Sequence, residues 1–192
     1  GELLLALLGK PLGVPRTVFD PDEGPGVPED AMSEIPRSTM IQRRRSHDRT
    51  RRDDARADAS RNAGRLATIA DLHTAGSVEV LDMTHDERLL FSGLTSNNEA
   101  HSFGLRVGLG MGEAACVAIA VHRGCVIATD DDDALRALQK LSPKSKHTRI
   151  RALLCLAAER RLITRNDANA LHREMRRLGF WDTTEPFPPG KA

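Results

Sequence analysis

Aromatic side chains are nearly missing from this chain of 192 residues: there is no tyrosine, one tryptophan and five phenylalanines. Without an aromatic platform on which bases could stack, single-strand binders of the OB or RRM type are disfavoured, and the core must be built from Leu, Ile, Val and Ala. Cysteine is scarce as well. Cys116, Cys125 and Cys155 are an odd number with no C-x-x-C pair and sit in apolar runs, so they read as buried thiols of a reducing, cytoplasmic protein. Charge of one sign is absent overall, with 28 basic against 27 acidic residues. Any basic surface must therefore come from local clustering. Long apolar runs are missing too: the opening GELLLALLGK falls well short of the ~20 residues of a membrane span, and it reads as a short buried helix. The seven histidines do not pair at metal-ligand spacing or stand beside a nucleophile, so zinc sites and catalytic triads find no support.

What is present concentrates in Gly110 to Leu138. Residues Glu113 to Val121 are small and apolar on nearly every side, which predicts a helix buried over most of its surface and stopped by Gly124. Cys125 to Ala128 then reads as a short interior strand of a parallel sheet, and Asp130 to Asp133 follow. If helix and strand run back along one another, Glu113 lies over the edge where the strand ends, close to Asp130. That carboxyl edge is where ligands bind in open α/β sheets. Carboxylates converging there repel unless a cation sits between them, and all-oxygen donors suit Mg2+ or Mn2+. A plainer alternative makes Asp130 the cap of a helix beginning near Asp132, with its neighbours and Glu113 serving helix dipoles.

The string G-x-G-E-A-A-C-x-A-I-A followed by G-C-V-I-A-T-D-D resembles the second half of a PIN-like domain, the fold of many toxin-antitoxin ribonucleases. The resemblance extends over Val78 to Phe180 and includes the subgroup with added C-terminal helices. It implies an α/β, PIN-like three-layer fold with a short parallel sheet flanked by helices. It also implies that Glu113 matches the family's third acidic position and Asp130 or Asp131 its fourth. Val14-Pro15-Arg16-Thr17-Val18 is similar to the segment leading to the second, for which Asp20 is the nearest candidate. Glu2 to Leu8 resembles the end of the family's first helix and Leu12 to Pro15 its second strand, so the family's first acidic residue has no counterpart in this sequence. The implied activity is metal-dependent endoribonuclease cleavage with Mg2+ or Mn2+. Glu113, Asp130 and Asp131 would be catalytic and metal-binding, with Asp20 a further ligand. RNA, an antitoxin protein and a second copy of the chain are the candidate partners, and no membrane is expected. The alternative is a catalytically degenerate relative that binds nucleic acid or protein.

The remaining segments complete a single domain over residues 1–182. Residues 29–75 read as a charged helical insertion in which Arg43 to Arg45 and Arg51-Arg52 either contact phosphate or form a solvated face. Leu66, Ile69 and Leu72 suggest a packed stretch ending near Gly76. Val78 to Leu81 is a predicted strand ending at Asp82, and Thr84 caps a predicted helix from His85 to about Leu94. The glycines of Ser96 to Gly112 lack the Lys and Ser/Thr of a nucleotide-binding loop. Helices are expected from Asp132 to near Pro143, through Ile150 to Leu156, and from Thr164 to about Leu178, so that residues 148–180 form a helical extension. The tail, residues 183–192, is expected to be extended and mobile.

Overall fold

Among the described residues, most helices present alanine and leucine faces, and the strands are short, two to four residues each. The computed structural model describes residues 2–19, 71–177, 180 and 182–188. Asp20, most of the charged insertion and Trp181 lie outside the described residues. Helix α1 (Glu2–Leu8) leads to β1 (Leu12–Pro15) and a single turn, α2 (Arg16–Phe19). After the insertion come β2 (Val78–Leu81) and α3 (His85–Thr95). A 3-10 turn (Ala100–Phe103) precedes α4 (Met111–Arg123), which is followed by β3 (Ile127–Ala128) and α5 (Asp132–Leu141). The chain continues with β4 (His147–Thr148), α6 (Ile150–Glu159) and α7 (Arg165–Arg177).

The architecture is mixed α/β with short parallel strands. Those strands form two separate pairs among the described residues, β1 with β2 and β3 with β4, where a single sheet was expected. Leu12 pairs with Val78 and Pro15 with Leu81 in the first, while Ile127 pairs with His147 in the second. The predicted interior strand Cys125 to Ala128 shrinks to two residues. Gly124 takes a left-handed φ of 63° to end α4, so Cys125 and Val126 leave the turn before pairing begins, and Val126 stays 58% exposed. The buried-thiol reading is corrected with it: Cys125 is exposed, and Cys116 and Cys155 are half-buried.

Helix α4 joins the two halves. It packs against α3, α5, α2, β1 and β3. Ala114, Ala115, Ala118 and Ala120 are buried along it, and their small side chains let neighbouring backbones approach closely. Val117 and Ala120 enter one core with Leu94, Leu105, Leu109, Ile127, Ala134 and Leu138. Two of those residues, Leu105 and Leu109, come from the glycine-bearing loop before α4, which therefore fills core space. Gly108 donates its N–H to Asn97 Oδ1 at 2.9 Å, and a Cβ there would meet the Thr95 carbonyl oxygen at 2.3 Å. Because that neighbour is backbone, Gly108→Ala is expected to cost about 1–3 kcal/mol in urea unfolding. A variant as stable as the parent would mean that the loop is loosely packed.

Caps follow the sequence closely. Thr84 and Glu87 form a reciprocal capping box at α3, and Gly76, at φ 70°, ends the helical residues 71–74. Thr164 Oγ1 accepts from the Asp167 N–H at 3.1 Å while Asp167 Oδ2 accepts from the Thr164 N–H at 3.0 Å, which closes the start of α7. The expected mobile tail is corrected for residues 183–188, which are fastened to α6 and α7. Asn169 accepts from the Phe187 N–H at 3.0 Å and donates to its carbonyl at 2.6 Å.

Candidate functional site

Two clusters of charge form where the parallel strands end. At the carboxyl end of β1 and β2, Arg16 begins α2 and forms a two-toothed ion pair with Asp82. The Arg16 guanidinium holds the exposed Asp82 carboxyl below its usual range. Arg123, the last residue of α4, donates to both Glu87 carboxylate oxygens at 2.7 and 2.8 Å and to the Asp82 carbonyl at 2.5 Å. Glu87 is only 1% exposed, and its Oε2 also accepts the Thr84 N–H at 2.7 Å. The Arg123 hydrogen bonds, opposed by burial, pull the Glu87 carboxyl down to about 2. Asp82 and Glu87 were visible in the sequence as a strand end and a helix first turn. Arg123 looked only like a polar helix end.

This network fixes the polarity of α4. With Arg123 at the carboxyl edge of β2, Glu113 stands ten residues back along the helix, about 15 Å along its axis. Glu113 is half-buried in the first turn of α4, with Oε2 shielded from solvent. The carboxyl edge of the β1–β2 pair is therefore not where Glu113 lies.

The second cluster follows β3. Asp131 is the N-cap of α5, its Oδ1 accepting the Ala134 N–H at 2.7 Å. Asp130 serves a different helix: its Oδ2 accepts from the Ile150 N–H at 3.3 Å, at the first residue of α6, which lacks a side-chain cap of its own. The plainer sequence reading is thus corrected in detail, since the cap of α5 is Asp131 while Asp130 caps α6 from β3. The reason is β4, which sequence reading missed: pairing of His147–Thr148 with Ile127–Ala128 carries the start of α6 to the end of β3. Asp132 pairs with Arg149, and Asp133 with Arg136 at 2.6 Å.

Burial raises the Asp130 carboxyl, with the Ile150 N–H and Arg149 pulling the other way and Asp182 and Asp132 adding repulsion. Asp182, the last residue of the expected domain, is a member of this negative group that sequence reading did not single out. Asp130 therefore carries its charge at a cost in the folded chain. Asp130→Asn keeps an acceptor for Ile150 and removes that charge, so the variant is expected to melt at a higher temperature than the parent at pH 7. Because the folded group titrates above its unfolded value of 3.8, the difference shrinks as pH falls and vanishes once both states are protonated. A variant that melts lower at pH 7 would show Asp130 to be a net stabiliser.

Oxygen donors are the chemistry of this edge, and they fit a hard divalent cation better than zinc or copper. Among the described residues, no three His, Cys, Asp or Glu side chains are grouped as one metal ion would require. Asp20 cannot be placed, lying outside the described residues. Among the described residues, no helix is long and apolar enough to cross a membrane. Comparison of the chain with family models, with curated proteins and with solved structures finds no match in any of the three.

Proposed function

We propose that the chain is a PIN-like α/β domain and a metal-dependent endoribonuclease, with Glu113 and Asp130 as the residues that would hold Mg2+ or Mn2+. One observation carries this reading: Asp130, at the end of β3, is half-buried and pushed toward protonation by burial, with Asp182 and Asp132 adding like charge. A divalent cation relieves that arrangement, and bound there it supplies an activated water and neutralises charge on a phosphodiester. Exposed Lys144, Lys146 and Arg151 follow in the same stretch of chain and supply positive charge for an RNA backbone. Asp131 is reassigned in this reading from metal ligand to helix cap, because its Oδ1 is already engaged by Ala134.

The engagement of Asp131 and the Asp132–Arg149 ion pair favour a second reading, a degenerate relative in which arginine has replaced the cation and the domain binds nucleic acid or protein. Incubation of the chain with single-stranded RNA in Mn2+, beside a chelator control, separates the two. Cleavage that requires the ion supports the nuclease. RNA retained without cleavage supports the binding module.

A further inference from the structure

Residues 182–188 lie against both α6 and α7 and use one stripe of α7 to do so. Arg165, Asn169 and Arg173 are spaced four residues apart, which places them in line along one face over about 12 Å. The first two meet Phe187 and the third meets Glu185, so the tail runs back along α7. The Arg165 guanidinium stands 5.2 Å from the centre of the Phe187 ring. Asn169 engages both the N–H and the carbonyl of Phe187, as a neighbouring strand would. Arg173 pairs with Glu185 at 3.0 Å. From α6, Cys155 donates its thiol to the Pro186 carbonyl at 3.5 Å, and Pro186 is buried. The start of the segment is fixed by Phe180, whose ring meets the edge of the fully buried His172 at 5.8 Å.

We infer that the face formed by α6 and α7 is a peptide-binding site whose ligand is an extended segment with an acidic residue, a proline and an aromatic in the order Glu-Pro-Phe, and that the chain's own tail occupies it. The division of labour is that of a recognition site. Hydrogen bonds from the Asn169 side-chain amide to the tail backbone give affinity for any extended strand, while Arg173, the buried site of Pro186 and Arg165 select the side chains. Proline before the aromatic keeps the segment extended and lowers the entropy lost on docking. Only residues 178–181 join α7 to this segment, so the tail acts at an effective concentration of order millimolar and competes with any second peptide.

The test uses the full chain and a fluorescein-labelled peptide of residues 182–188. Wild type is expected to bind it weakly, and the Glu185→Ala/Phe187→Ala chain, whose own tail competes poorly, at least tenfold more tightly. Adding Asn169→Ala to that chain should return binding to the wild-type level. Equal binding by wild type and the doubly substituted chain, or binding indifferent to Asn169, overturns the inference. If the substituted chains fail to fold, hydrogen exchange on wild type decides: excess unlabelled peptide should speed exchange of the Phe187 amide, and unchanged exchange overturns the inference. Neither readout involves RNA or metal, so failure of the nuclease reading leaves this test intact.

Discussion

Arg123→Ala is expected to lower the free energy of unfolding by about 3 kcal/mol at pH 7, measured by urea denaturation. The substitution strands Glu87, 1% exposed, as a buried carboxylate that keeps only its capping contacts with Thr84. Against a total stability of about 5–15 kcal/mol for a domain of this kind, that is a large fraction. The pH dependence carries the same information. Glu87 titrates at about 2 in the folded chain against 4.5 unfolded, so its contribution is complete above pH 4.5 and is lost as pH falls through about 2. In the Arg123→Ala chain burial acts on Glu87 against the Thr84 hydrogen bonds alone, so that acid-side loss should flatten. Glu87→Gln should cost less, because Arg123, 36% exposed, can turn its guanidinium to water. A double-substituted chain then gives the coupling between the two, and a coupling near zero would show that the pair is not a unit.

Glu113→Gln is expected to reduce Mn2+-dependent RNA cleavage by at least about 100-fold while leaving the fold intact. Glutamine preserves the size of the side chain and its place in the first turn of α4, so only the charge is lost. The stability of the variant, read by thermal melting, separates loss of chemistry from loss of structure. Cleavage undiminished in this variant would mean either that Glu113 takes no part or that the activity comes from a contaminant. Asp131→Ser offers a contrast. Serine retains an N-cap acceptor for α5, so under the present assignment this chain keeps its activity.

Much of the local structure is legible in the sequence because it is written in local rules. Glu2–Leu8 and Val78–Leu81 form where apolar and β-branched runs predict them, and Leu12–Pro15 is a strand where the family resemblance implied one. Thr84 with Glu87, and Gly124 after α4, follow from capping chemistry alone. What could not be read is long-range. The two-residue strand His147–Thr148 has no periodicity to betray it, yet it decides where Asp130 points its hydrogen bond. Pairing of Arg123 with Glu87 joins residues 36 positions apart and depends on the direction in which α4 leaves its loop. The tail looked unstructured because prolines and threonines form no regular element, whereas Asn169 and Arg173 hold it from outside. Glu113 and Asp130 were singled out as candidates from residue type and a family resemblance, and the role of Asp131 was open until its partner, the Ala134 N–H, was known.

The central claim, that carboxylates after β3 and at the start of α4 hold a divalent ion, is tested most directly by titrating the chain with Mn2+ and following the electron paramagnetic resonance of the free ion. Saturable binding that is lost in both Asp130→Asn and Glu113→Gln, with both variants folded, is the predicted result. Binding identical in the parent and the two variants, or no binding by the parent, would contradict the claim.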